Sequence, residues 1–311
     1  MISYSIVICA FNQRRTLGLI LESIRTQITA PKMFEVVIAD DCSDDGTDDF
    51  VRKRRYPIFL KYSRCDKNQG RAANRNRGFE KSAGKKIICI DGDMVPGPGF
   101  IEAYLSAWEE FPGAVILGSR RLPSEWPNGN FTRYLYSRGR LPMPHGTSLP
   151  GRLFTSDNFS IDKEIFAKTS GFDTAFSGWG GEDTDFGIRL ENNGVPMYAV
   201  PSAWCFHYHD KSLENTIIEF EKFGRNGFPL LVDRYPEQNI YSNGWVLGLP
   251  LTNAGMGKKI LAELLRPLHS SPILGILQGL GRINRGALFS DFFFDWLLYG
   301  YMARGYRKSK R

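Results

Sequence analysis

Lys85-Lys86-Ile87-Ile88-Cys89-Ile90-Asp91-Gly92-Asp93-Met94-Val95-Pro96 is the stretch on which the reading of the fold turns. Its apolar run, 87–90, is too short for a helix and is flanked by lysines, the mark of a buried strand. Two carboxylates separated by one glycine end the run, and Pro96 stops the strand from continuing. Alternate residues of an extended segment point the same way, so Asp91 and Asp93 can project together into a cleft. Paired carboxylates repel unless positive charge lies between them, and a hard divalent cation shared with a phosphate supplies it. Taken alone, Asp-Gly-Asp reads equally well as an acidic turn after a strand.

Upstream, residues 4–9 form a second apolar run, broken by Ala10-Phe11-Asn12-Gln13. Leu17, Ile20, Leu21, Ile24 and Ile28 then recur at helical spacing. Residues 34–39 read as a strand that ends in Asp40-Asp41-Cys42-Ser43-Asp44-Asp45-Gly46-Thr47. That loop is rich in helix N-cap residues and predicts a helix over about 47–55. A strand over 58–62 and a helix over 70–83 complete the approach to the opening stretch. Four strand–helix alternations predict an α/β fold: a Rossmann-like, mostly parallel sheet flanked by helices. The polar clusters Phe11-Asn12, Asp40-Asp41 and Asp91-Gly92-Asp93 all fall at carboxyl ends of strands, where open sheets of this kind bind ligands. No GxGxxG follows the first strand, which speaks against a dinucleotide enzyme.

Between 119 and 154 the pattern dissolves into Pro, Gly, Arg and aromatic residues, as expected of a lid or binding loop. A strand returns at 155–161, and Asp162 is placed to cap a short helix. Gly171-Phe172-Asp173 leads to Gly178-Trp179-Gly180-Gly181-Glu182-Asp183-Thr184-Asp185. Acids at the start of a helix suit its dipole, which by itself accounts for Glu182, Asp183 and Asp185. A tryptophan in a glycine turn beside paired acids also builds a sugar platform next to a base. After a short strand (197–200), His207 and His209 stand at alternate positions of an extended segment and can reach one ion together. His145 and His269 lie in loop-like sequence and receive no role.

The composition is that of an ordinary globular protein, 42% hydrophobic and 23% charged. Five cysteines without a CxxC pair read as small buried residues in a reducing compartment. The first residues run directly into strand-like sequence and no apolar run is long enough to span a bilayer, so a cytoplasmic chain without a secretory leader is expected. Residues 1–244 carry equal numbers of basic and acidic side chains, and the whole net charge of +7 sits in 245–311. A nucleic-acid binder would spread its basic charge differently. The expected organisation is a catalytic domain over 1–244, with a nucleotide-binding half (1–118) and an acceptor and metal half (119–244). A basic, apolar helical extension follows over 245–311. It packs on the catalytic domain or a second subunit, or it lies at the cytoplasmic face of a membrane with its basic residues on anionic lipid.

Cys9-Ala10-Phe11-Asn12, the 38–47 segment, Asn68-x-Gly70 leading to Arg75-Asn76-x-Gly78, and Asp91-Gly92-Asp93 together resemble family 2 glycosyltransferases of the GT-A fold. The Gly178–Asp183 segment and its His-x-His successor resemble β-1,4-galactosyltransferases and chondroitin polymerases. The resemblance covers about residues 3–210 and implies a UDP-sugar donor and a divalent cation, Mn²⁺ or Mg²⁺. It implies that Cys9, Ala10, Phe11, Asp41, Arg71, Arg75, Asp91 and Gly92 bind the nucleotide. Asp93, His207 and His209 would hold the metal. Asp183 matches the family's catalytic base, which favours inversion, and Glu182 would orient the acceptor. Trp179, Gly180, Gly181 and Asn158 would meet donor or acceptor sugar. The acceptor implied is a polysaccharide, glycolipid or glycopeptide. Two other readings stand beside this one: a nucleotidyltransferase using a sugar nucleotide, and a carbohydrate-binding scaffold that has lost catalysis. The first would want a glycine-rich basic loop after the first strand, and Ala10-Phe11-Asn12-Gln13 is not that.

Overall fold

The computed structural model describes residues 2–27, 34–125, 129–137, 143–208, 211–236, 238, 256–283 and 291–310. Their elements in chain order are β1 (Tyr4–Ala10), α1 (Arg14–Thr26), β2 (Phe34–Asp40), α2 (Thr47–Lys53), β3 (Leu60–Arg64), α3 (Arg71–Lys81), β4 (Lys86–Asp91) and β5 (Met94–Pro96). There follow α4 (Phe100–Glu110), β6 (Val115–Arg121), α5 (Asn130–Ser137), β7 (Asn158–Asp162), α6 (Lys163–Lys168), α7 (Glu182–Asn192) and β8 (Met197–His207). The later elements among the described residues are helices: α8 (Leu213–Arg225), α9 (Gly227–Arg234), α10 (Met256–Leu265), α11 (Ser271–Ile283) and α12 (Asp291–Ser309).

The chain forms two compact units. The first comprises Met1–Trp126, Arg140–Ala175 and Glu182–His209. It is built on an eight-stranded sheet of order β3-β2-β1-β4-β7-β6-β8-β5. The expected parallel pairs are present, β1 with β2 and β4, and β2 with β3. Beyond β4 the sheet turns mixed, because β7 runs antiparallel to both β4 and β6. Side-chain alternation covers both faces. Ile6, Ile8, Ile88 and Ile90 join α1 and α4 residues in one core, whereas Val7, Ile87 and Cys89 join Phe79, Phe166, Phe172 and Phe186 in the other. The register sets Ala10 beside Asp40 and Cys9 beside Asp91, so three adjacent parallel strands end level. That shared rim is where the polar residues of the loops converge.

The second unit comprises Pro127–Gly139, Phe176–Gly181 and Asp210–Arg311. Its spine is α12, whose Phe293, Phe294, Leu297, Leu298, Tyr301 and Met302 are buried. A Cβ at Gly224 of α8 would collide with the backbone of Met302, and one at Gly305 with the backbone of Glu221. Two glycines therefore allow the backbones of α8 and α12 to pack directly on each other. This packing groups α8 and α9 with the C-terminal helices in the second unit. Among the described residues no helix is long and apolar enough to cross a membrane.

Candidate active site

A cleft of about 270 Å³ opens at the level ends of β1 and β4. Cys9, Ala10, Phe11, Asp41, Arg71, Arg75, Asp91, Gly92 and Asp93 line it, together with Gln13, Gly70 and Asn74. Every residue expected to bind nucleotide is thus in one wall. Gly92 donates its N–H to the Cys9 carbonyl (2.8 Å), and a side chain there would press on that carbonyl and on Ala10. A glycine between the two aspartates therefore lets the end of β4 close against β1. Asp41 is committed structurally: its carboxylate accepts the backbone N–H groups of Gln69 (2.8 Å) and Gly70 (2.9 Å). It shapes the turn into α3, with Phe11 the exposed aromatic of the cleft.

Asp93 and His207, over a hundred positions apart, meet because β5 pairs with the end of β8, setting Met94 opposite His207. The Tyr208 N–H donates to the Asp93 carbonyl (2.9 Å), and His207 Nε2 stands 3.6 Å from Asp93 Oδ2. His209 lies outside the described residues. Among the described residues no group of three or more His, Cys, Asp or Glu side chains is gathered for one ion. The pair nevertheless fits a shared cation: one hard carboxylate oxygen and one imidazole nitrogen suit Mn²⁺, with further positions left for ligand oxygens.

The acids of α7 are brought to the same rim by Arg75. Its Nη2 donates to both oxygens of Asp91 (2.9 and 3.2 Å), and its Nη1 to Glu182 Oε1 (3.3 Å). Arg75 and Glu182 are each only 3% exposed, against 26% for Asp91. Asp183 accepts the Ser156 N–H at Oδ2 (3.1 Å), and its Oδ1 is buried without a hydrogen-bond partner. Burial, with the Glu182 carboxylate adding to it, pushes Asp183 up to about 6 against the pull of Arg75. A half-buried carboxyl titrating near neutrality, with a free oxygen, has the properties of a proton acceptor.

The sugar-contacting expectations divide. Asn158 gives way as a donor contact. It is 1% exposed, accepts from Tyr104 Oη (2.7 Å), and donates to the carbonyls of Ser119 (3.1 Å) and Ala203 (2.9 Å). Its amide is spent tying β7 to β6 and β8, as a buried polar group in a strand must be. Trp179, Gly180 and Gly181 belong to the second unit, where the indole packs on Phe220 and Phe223 and carries the Lys211 ammonium 4.6 Å from its ring. Gly180 and Gly181 have φ of 87° and 100°, left-handed backbone that glycine alone adopts freely. Sequence reasoning missed the bridge between Arg75 and Glu182. Its available signal was an arginine spaced one helical turn from Arg71 on a face otherwise made of small and buried residues.

Residues 5–172 match Glycosyl transferase family 2, and residues 144–211 match the N-terminal domain of galactosyltransferase. The chain belongs to glycosyl transferase family 2 and has the GT-A fold. It is 27% identical to a validoxylamine A glucosyltransferase of Streptomyces hygroscopicus subsp. limoneus, an alignment covering 84% of this chain and 62% of that protein. It is 28% identical to the chondroitin synthase of Pasteurella multocida over 69% of this chain, spanning a quarter (25%) of that enzyme. In fold it is similar to the mannosyltransferase PcManGT of Pyrobaculum calidifontis in complex with GDP-Man and Mn²⁺ (TM-score 0.65, 17% identity, 99% of this chain and 86% of that one). S. aureus TarS 1-349 in complex with UDP-GlcNAc has a TM-score of 0.57, with 15% identity, 99% of this chain and 92% of that one covered.

Proposed function

We propose that this protein is an inverting, metal-dependent glycosyltransferase that moves a sugar from a UDP-sugar to an acceptor hydroxyl. The observation that carries the reading is the meeting of Asp91, Asp93, His207 and Glu182, held by Arg75 next to Asp183, at one rim of the sheet. Cys9, Ala10, Phe11, Arg71 and Gly92 line the nucleotide cleft, and Asp91 holds the ribose. Asp93 and His207, with His209 following in the chain, hold Mn²⁺ or Mg²⁺, which when bound neutralises charge on the departing diphosphate. Asp183 takes the proton of the acceptor hydroxyl. The acceptor oxygen then bonds to the anomeric carbon as the bond to the diphosphate oxygen breaks, releasing UDP and inverting the centre. Glu182, next to the base, orients the acceptor.

The acceptor class is a polysaccharide, glycolipid or glycopeptide. The test is UDP release from a panel of UDP-sugars with Mn²⁺, measured with and without glycan acceptors, and with GDP-mannose as a competing donor. Turnover that needs both donor and acceptor supports the reading. Donor binding without turnover on any acceptor would favour a silent scaffold, and diphosphate release from a nucleoside triphosphate would favour a nucleotidyltransferase.

The C-terminal helices suit contact with an anionic membrane surface at the cytoplasmic face. Met256, Ile260, Leu261 and Leu264 of α10 and Ile276 and Leu280 of α11 are exposed at helical spacing, within the segment that carries the whole net positive charge. Flotation of the full chain with vesicles containing phosphatidylserine, lost on Ile260→Ser/Leu264→Ser/Ile276→Ser, tests it. Equal failure of parent and variant to float removes it.

A further inference from the structure

We propose that Arg75 is a positioning residue of the reaction: by bridging Asp91 and Glu182 it fixes the start of α7, and with it the neighbouring Asp183 base, beside the donor end of the cleft, and lends that base a nearby positive charge. The inference rests on the glycosyltransferase reading and deepens it.

Arg75 is buried within α3, and its guanidinium faces three carboxylates from two distant parts of the chain. It holds Asp91, at the end of β4, by both oxygens, and Glu182, at the start of α7, by one. Asp183 follows Glu182 and adds to the negative field at the same guanidinium. Underneath, the cation sits 5.5 Å from the Phe172 ring centroid. Phe172 is itself fixed, because its N–H donates to Asn76 Oδ1 (2.9 Å) and its carbonyl accepts from Asn76 Nδ2 (2.7 Å). The guanidinium therefore has one position, set by an aromatic floor and two bridged acids.

The charge count gives the consequence. Asp91, Glu182 and Asp183 sum to three negative charges around one positive one, largely shielded from water. Burial and the neighbouring Glu182 carboxylate raise the Asp183 carboxyl, and the Arg75 guanidinium draws it back. The groups facing Asp183 are Glu182, Arg75 and the Ser156 N–H and hydroxyl. Glu182 and burial favour the proton, and Arg75 opposes it. Arg75 thus sets the pH at which the base becomes available. Asp91 competes for the same cation. A donor that draws Asp91 into its own hydrogen bonds leaves more of the positive charge for the acids of α7, so donor binding favours the ionised base.

The experiment is the pH profile of kcat/KM for the parent, Arg75→Met, Arg75→Lys and Glu182→Gln. Arg75→Met is expected to move the acid-limb midpoint up by about one unit or more, the scale for losing an opposite charge at this range. Arg75→Lys keeps a cation and is expected to restore most of the midpoint. Glu182→Gln removes the like charge beside the base, keeps the Arg75–Asp91 pair, and is expected to move the midpoint down. Opposite shifts from the two substitutions support the proposal, because a merely structural loss lowers the plateau without moving the midpoint. An Arg75→Met midpoint equal to the parent's overturns the proposal, and where that variant fails to fold, an unmoved or raised midpoint in Glu182→Gln does so. A parent that transfers no sugar sinks the function reading instead. The same midpoint can then be followed by carboxyl-labelled NMR titration of Asp183 in parent and variants.

Discussion

Asp183→Asn separates what a catalytic carboxylate does for turnover from what it costs the fold. The substitution keeps shape and leaves an oxygen to accept the Ser156 N–H, but it removes the titration. A general base contributes roughly 10²–10⁴ in rate, so transfer is expected to fall by that factor while donor binding persists. The stability effect has the opposite sign. The folded protein holds this carboxyl at about 6, against an ordinary value of 3.8, so the native state binds the proton more tightly than the unfolded chain does. Stability from this group is fully present below the unfolded value and is lost as pH rises through the folded one. The distance between the two values corresponds to at most about 3 kcal/mol, complete above about pH 6. Burying an amide N–H₂ costs something at every pH, about 1–3 kcal/mol if it finds no partner, but that cost does not vary with pH. Denaturant titrations from about pH 4 to 7.5 should therefore show the variant gaining on the parent between roughly pH 4 and 6, and holding level above. In the parent, kcat/KM should fall on the acid side with a midpoint near the same value. A variant that transfers sugar at the parent rate refutes the base assignment. A stability difference flat in pH refutes the account of the burial.

Asp93→Ala should abolish Mn²⁺-dependent binding of a UDP-sugar, read by calorimetry, and His207→Ala should weaken it; unchanged Mn²⁺ dependence in both would remove the metal site. Asn158→Ala should destabilise the protein by about 1–3 kcal/mol for each carbonyl or hydroxyl it strands, and by denaturant melting it should behave as a core defect rather than a donor-affinity defect. Arg189→Met removes the guanidinium paired to buried Asp185 at 2.9 Å; a loss of about 3–5 kcal/mol is expected, and melting within 0.5 kcal/mol of the parent (roughly the scatter of a surface change) would contradict the pairing.

What the sequence made legible follows from distance along the chain. The first four strands and their helices could be read because each is a local pattern: apolar runs of strand length, helical spacing in Leu17–Ile24, polar loops at the strand ends. The mixed half of the sheet could not, since β7 inserts between β4 and β6 and β8 runs from Met197 through His207, well past the 197–200 expected. Pro201, Trp204 and Phe206 break the apolar alternation there, and pairing to β5 and β6 overrides it. Asn158 shows the same limit at a single residue. A polar side chain in a strand at the edge of a cleft looks like a ligand contact until the carbonyls of Ser119 and Ala203 are seen to need its amide. Arg75 is the converse case. Its helix is local and was read, but its meaning lies in two carboxylates, 16 and 107 positions away, that only the sheet brings together. A residue's type sets the chemistry it can offer, and the pairing of distant strands decides which partner receives it. For that reason Asp93, His207 and Asp183 could be singled out from the chain as candidates, whereas the pairing of Arg75 with Asp91 and Glu182 had to wait for the fold.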